Sequence, residues 1–241
     1  STLVYTTAFF TPSVKLISGK SVNIYGKGPP VVFSPGLFGT MTHRIYSNFI
    51  NHLQKNVSVC ILNDASPITS VIVEECADAL AVDKIAFLSH SSLDLSVLGS
   101  SRVEKAIMLD PITFPSFGTS LQPSPPLVDT DCNSLVIYAG QTYVAAPAVP
   151  NIFSPIFSNN VKTMTDEDNG HVDILDDRWG NLAVDMKLFA GSRVESVDFK
   201  EWNGISEKKK ERSSYRKMIA KRVHDFIFST ESPIEVLPAD I

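Results

Sequence analysis

Three residues occur in an order able to carry acyl-transfer chemistry. Ser91 follows the apolar run KIAFL, inside Ser89-His90-Ser91-Ser92-Leu93. A nucleophile elbow exposes its serine at such a strand-to-helix turn. Asp110 follows the run KAIML, and a carboxylate at a strand's carboxyl end can orient a histidine. His171 follows VKTMT, on a segment, 166–177, that holds six carboxylates among its twelve residues. That position suits a general base, and neighbouring carboxylates favour imidazolium and raise its pKa. The same residues read more plainly as a polar turn, an Asp capping a turn before proline, and a loop histidine. The acidic segment is the rival site. It lacks the alternating carboxylates, glycine and final glutamate of a calcium loop, so no metal is assigned to it.

A turn upstream could complete the chemistry. After the run VVF comes Ser34-Pro35-Gly36-Leu37-Phe38-Gly39-Thr40. Its glycines let the backbone turn sharply and present N–H groups, as an oxyanion hole requires. A plain glycine-containing turn has the same sequence.

These loops need strands that end side by side. VVF (31–33), VSVCIL (57–62), KIAFLS (84–89), KAIMLD (105–110), SLVIYAG (134–140) and the weaker VKTMT (161–165) read as strands. Residues 43–55 place Ile45, Phe49, His52 and Leu53 on one helical side. Residues 70–81 do the same with Val73, Cys76, Ala77 and Leu80. Tyr215, Met218, Ile219, Val223, Phe226 and Ile227 predict a long terminal helix. Continuous apolar strands alternating with helices imply an α/β fold, its mostly parallel central sheet covered by helices on both faces. In such sheets, sites form beyond the carboxyl ends of the strands. The Pro-rich stretch 111–126 and residues 178–205 read as irregular excursions from one domain spanning 1–241.

Composition narrows the classes. The chain has 241 residues, 44% hydrophobic and 20% charged, which excludes disorder, a collagen repeat or a coiled coil as the main architecture. No apolar run approaches the ~18–20 residues of a membrane helix. The net charge is −5, which argues against nucleic acid as a partner. Residues 207–222 nevertheless carry eight Lys/Arg against two Glu. That run fits the solvated face of a helix, or contact with an anionic membrane or acidic partner. Cys60, Cys76 and Cys132 show no metal spacing, and Cys60 reads as a core thiol in a reducing compartment. A chain beginning at Ser1 fits removal of a targeting peptide, and equally a shortened chain.

Four stretches together resemble the chlorophyllase family of α/β-hydrolases, over about residues 30–230. Pro35-Gly36-Leu37 with the helix from Ile45 to Leu53 is similar to that family's HGF loop and Y-S-x-L-L-x-H-I helix. Ser89-His90-Ser91-Ser92-Leu93 aligns with its G-H-S-R-G-G motif, and Leu109-Asp110-Pro111 with its D-P-V segment. The segment 170–177 resembles its G-H-x-D-M-L-D-D block, the most specific of the four. Pro147 to Phe153 is also similar to a family stretch.

The resemblance implies an α/β-hydrolase fold and hydrolysis of the phytyl ester of chlorophyll. Ser91 is then nucleophile, His171 base and Asp110 its orienting acid, with the backbone N–H groups of Leu37 and Ser92 as oxyanion hole. No metal or cofactor is required. Phe38, Phe114, Phe117, Phe153 and Phe157 could wall a site for the macrocycle and its chain. The implied location is the chloroplast, soluble or at the thylakoid surface, with residues 207–222 as a contact to membrane or photosynthetic complex.

Two departures favour another outcome. The motif around Ser91 has lost its glycines, and no glycine falls between Gly39 and Gly99. The segment from Ser91 to Asp110 is also shorter than the family's, which puts a full helix behind the nucleophile. A hydrolase fold without catalysis, binding pigment or lipid beside a photosynthetic complex, is the alternative reading.

Overall fold

The computed structural model describes residues 13–36, 41–64, 66–92, 94–112, 127–128, 132–141, 156–157, 161–185 and 205–230. In chain order the strands are β1 (Ser13–Lys15), β2 (Ser21–Tyr25), β3 (Pro30–Ser34), β4 (Ser58–Leu62), β5 (Ile85–Ser92), β6 (Val103–Ile112), β7 (Leu127–Val128), β8 (Asn133–Gln141), β9 (Ile156–Phe157) and β10 (Val161–Gly170). The helices are α1 (Ser47–Leu53), α2 (Ser70–Ala79), α3 (Asp177–Asp185) and α4 (Ile205–Phe228). Short 3₁₀ turns, His43–Tyr46 and Leu95–Gly99, precede α1 and follow β5.

One sheet of eight strands runs in the order β1-β2-β4-β3-β5-β6-β8-β10, and β7 pairs with β9 apart from it. β2 is antiparallel to both β1 and β4, and every other pair of the large sheet is parallel. Counting only its own strands, the order is 1-2-4-3-5-6-7-8 with the second reversed. That is the order of the α/β-hydrolase fold, which this chain has.

The continuous apolar runs divide their residues between two cores, as strand alternation requires. Val31 and Phe33 of β3, Val59 and Ile61 of β4, Ala86 and Leu88 of β5, and Ile107 and Leu109 of β6 face one layer, with α1 and α4. Val32, Cys60, Phe87, Ala106 and Met108 face the other, with α2 and the turn 95–99. Both Cys60 and Cys76 lie in this second core, where burial pushes each thiol up to about 12. They are inert core thiols.

The expected strands and helices are present, several strands longer than their apolar runs: β5 extends to Ser92, β6 to Ile112 and β10 to Gly170. The irregular reading of 178–205 needs correction, because α3 covers residues 177–185. This helix contains Gly180. In space that glycine is a contact point: a Cβ there would lie 3.2 Å from both Arg212 Nη1 and the Val172 carbonyl. Glycine lets α3 lie against α4 and the turn after β10. Of the other excursion, Pro111 and Ile112 belong to β6, and 113–126 lies outside the described residues, as does 186–204.

The basic run 207–222 forms part of α4, and it is not uniformly solvated. Arg212 and Arg216 are fully buried, whereas Lys217, Lys221 and Arg222 are exposed. At the other end of α4, Lys105 Nζ reaches across from β6 and donates to the carbonyls of Phe226, Ile227 and Ser229, at 3.0, 2.9 and 2.6 Å. A cation at that end satisfies terminal carbonyls and complements the helix dipole.

Candidate active site

The ends of β5, β6 and β10 carry Ser91, Asp110 and His171, and each end departs from regular pairing. His90 pairs with Leu109, and the next pair is Ser92 with Ile112. One residue, Ser91, thus stands opposite two, Asp110 and Pro111. This is a β-bulge, which takes residues out of the ladder and re-aims them. Ser91 has φ +65° and Asp110 φ +44°, in the left-handed region. Among the described residues only Ala81, in the turn after α2, shares that conformation without being glycine. Each such residue stores about 1–3 kcal/mol and persists where its surroundings over-determine it. β10 has a second irregularity, between Asp166 and Gly170, immediately before His171.

The glycines lost around Ser91 thus do not deprive it of the left-handed conformation of an elbow. The positive φ falls at the bulge, where Ser91 stands opposite Asp110 and Pro111. Ser89 takes a glycine's place at a price: its Oγ is buried and, among the described residues, makes no hydrogen bond. The helix expected behind the nucleophile is, however, reduced to the 3₁₀ turn Leu95–Gly99. Asp94 caps it by accepting from Ser96 N–H at 2.9 Å.

Asp110 and His171 meet directly. His171 Nδ1 lies 2.5 Å from Asp110 Oδ2, and both side chains are buried. A carboxylate accepts, so Nδ1 carries the proton and Nε2 the lone pair that a general base uses. The other oxygen, Oδ1, accepts from Ala139 N–H of β8 at 3.2 Å. Asp110 is thereby oriented from two sides.

The acidic segment around His171 has different work from that expected. Asp173 accepts from Arg212 Nε at 2.8 Å and from Gly170 N–H at 2.8 Å. Asp176 accepts from Asn48 N–H at 2.9 Å, at the start of α1. Asp177 accepts from Arg216 Nη2 at 2.9 Å, while Arg216 Nη1 donates to the Leu175 carbonyl at 2.6 Å. Arg212 Nη1 also donates to Asn181 Oδ1. These carboxylates fasten the turn that presents His171, whose ring is hydrogen-bonded by Asp110. Among the described residues no group of three His, Cys, Asp or Glu is placed to hold a metal ion.

Sequence reasoning missed the arginines because a charge run reads as a solvated face. The signal available was spacing: Arg212 and Arg216 sit four apart, in step with buried Tyr215 and Ile219. It also missed His90 and Tyr46. Tyr46 Oη accepts from Gly36 N–H at 3.0 Å and lies 2.8 Å from His90 Nδ1. His90 Nε2 lies 2.9 Å from the His171 carbonyl, and the two imidazoles stack with centroids 4.7 Å apart.

Of the remaining candidates, the backbone of Ser92 ends β5 directly after Ser91. Leu37, Phe38, Phe114, Phe117 and Phe153 lie outside the described residues, as does the Ser92 side chain. Phe157 lies in β9 with its side chain likewise outside them. A cavity of about 90 Å³ borders the Pro35 side of the site, lined by Met41, His43, Leu62 and Ile68 among others.

No family model matches the sequence, and no curated protein does. Parts of several solved structures are similar to this chain. One is an epoxide hydrolase of the α/β-hydrolase superfamily from metagenomes of hot environments. It is 14% identical with a TM-score of 0.47, over 73% of this chain and 96% of that one. An α/β fold family hydrolase from Bacillus anthracis is 21% identical with a TM-score of 0.33, over 43% of this chain and 44% of that one. An epoxide hydrolase from Vigna radiata is 14% identical with a TM-score of 0.35, over 46% and 43%. The chain thus spans less than half the length of the latter two.

Proposed function

We propose that this protein is a serine ester hydrolase working through Ser91, His171 and Asp110. The observation that carries the reading is the pair of left-handed residues, Ser91 and Asp110, lifted from the ladder by one bulge beside a closed Asp110–His171 hydrogen bond. Strain at two non-glycine positions on adjacent strands serves placement of their side chains.

The chemistry follows from the roles. Ser91 Oγ attacks the ester carbonyl as His171 Nε2 takes its proton. The carbonyl π electrons move to oxygen, where the N–H groups of Leu37 and Ser92 would receive the charge. The intermediate collapses, the C–O bond breaks, and His171 returns the proton to the departing alcohol. Water then attacks the acyl-enzyme, again through His171, and releases the acid and Ser91. No metal or cofactor enters this scheme.

For the substrate we propose chlorophyll, cleaved to chlorophyllide and phytol in the chloroplast. The resemblance of the segment 170–177 to the chlorophyllase block supports this choice, and the structural duties of Asp173, Asp176 and Asp177 explain why such a block would retain its carboxylates. Labelling with a fluorophosphonate tests the nucleophile: wild type should label on Ser91 and Ser91→Ala should not. Incubation with chlorophyll a, followed by chromatography for chlorophyllide, tests the substrate. Turnover unchanged in Ser91→Ala would refute the assignment.

A second reading is favoured by the turn Leu95–Gly99, where an α-helix would otherwise aim its N-terminus at the nucleophile. On that reading the fold binds a pigment or lipid without cleaving it, with the exposed Lys217, Lys221 and Arg222 facing an anionic membrane or photosynthetic complex. Co-purification of pigment with protein that fails to label would select it.

A further inference from the structure

His90 is a buried imidazole for which the hydrolytic scheme has no use. Both of its ring nitrogens are nevertheless engaged. Nε2 faces the His171 carbonyl at 2.9 Å, and a carbonyl oxygen only accepts, so Nε2 carries a proton. Burial and the neighbouring His171 hold its pKa well below the usual 6.5, which keeps the ring neutral. Nδ1 is then an acceptor, and the Tyr46 hydroxyl 2.8 Å away donates to it. Tyr46 Oη in turn accepts from Gly36 N–H. The result is a directed chain: Gly36 N–H to Tyr46 O–H to His90 to the carbonyl of His171.

The chain joins three loops that must agree in position. Gly36 immediately precedes Leu37, His90 immediately precedes Ser91, and the third partner is His171 itself. A side chain at Gly36 would be tight: a Cβ would lie 3.0 Å from Tyr46 Oη and 3.3 Å from Met41 Sδ. Tyr46 is itself fixed, edge-on to Phe33 of β3 with centroids 5.2 Å apart.

We propose that His90, held by Tyr46 as its Nε2–H tautomer, is a positioning residue that sets the His171 loop against Ser91 and the loop after β3. The proposal deepens the hydrolase reading and rests on it. It needs His90 neutral, because imidazolium would reverse the Tyr46 hydrogen bond, turning Tyr46 Oη from donor to acceptor, and set a cation against the ring that must itself take a proton.

Long-range ¹H–¹⁵N NMR correlations on histidine-labelled protein read the tautomer directly. The expected pattern for His90 is a protonated Nε2 and a bare Nδ1, and the reverse pattern would overturn the proposal. In Tyr46→Phe, which removes one hydroxyl, the His171 ring signals should move. Unmoved signals would reduce His90 to a packing residue and end the proposal. Fluorophosphonate labelling adds a rate. Tyr46→Phe should slow labelling about tenfold, the worth of one hydrogen bond. His90→Gln, whose amide can donate to the His171 carbonyl and accept from Tyr46, should retain more activity than His90→Phe, which keeps only a ring. Equal rates for Gln and Phe would count against a hydrogen-bonding role. Should wild type fail to label, the hydrolase reading fails, while the NMR experiment still decides whether the chain of hydrogen bonds holds the His171 loop.

Discussion

Around His171 the structure relies on side chains brought from distant parts of the sequence: Asp110 from β6, Arg212 and Arg216 from α4, and His90 from β5. Around Ser91 it relies on the backbone, through a bulge, a positive φ and a five-residue 3₁₀ turn. The two halves therefore respond differently to sequence change. A site held by side chains needs those residue types. A site held by pairing register depends less on glycine, and Ser89 stands where a nucleophile elbow usually carries one.

The largest break in this comparison comes at the junction of the halves. Asp110→Asn should lower kcat on a small ester by about 10⁴-fold, since an amide cannot both accept from Ala139 N–H and hold the His171 tautomer. Unfolding monitored in parallel should show a far smaller effect. Next comes Arg212→Leu, which strands the Asp173 carboxylate with 0% exposure. Removing one partner of a buried ion pair costs about 3–5 kcal/mol, readable in urea unfolding, and should also release the His171 turn.

Acid should act on the same half. His90 is faced by Tyr46 from the turn before α1 and by His171 beyond β10, with Asp110 on the far side of that ring. Its folded pKa lies below 6.5, so below that pH the unfolded chain binds a proton that the folded chain refuses. Stability is full above about pH 6.5 and falls as pH drops towards the folded pKa, by up to about 1.4 kcal/mol per unit. His90→Gln should remove most of that slope in urea titrations across pH. The smallest effect belongs to the Ser91 half. Ser89→Ala removes an orphaned hydroxyl and should raise stability by about 1 kcal/mol without disturbing the elbow. A loss of that size would mean that the hydroxyl has a partner after all.

Much of this was legible in residue types. Apolar runs gave the parallel strands their places, and Asp110 and His171, selected from loop positions alone, are in contact. What escaped the sequence depended on space. The antiparallel β1 and β2, SVK and SVNIY, are too short and polar to stand out as strands. Gly180 lies inside α3, and its reason is spatial: a Cβ there would meet Arg212 Nη1. The conformation of Ser91 could not be read because register, not composition, produces it: glycine is the usual sign of a positive φ, and here the bulge substitutes for the sign.

The brevity of the link between β5 and β6 has a kinetic side. Residues 93–102, ten in all, join these parallel neighbours, whereas 113–132, twenty in all, join β6 to β8. Halving a loop lowers its closure cost by about 0.6 kcal/mol, and short-range pairings form ahead of long-range ones. β5 and β6 should thus be the first parallel pair to zip, with Ser91 opposite Asp110 from the outset. His171, some sixty residues further along, arrives at a cradle already built.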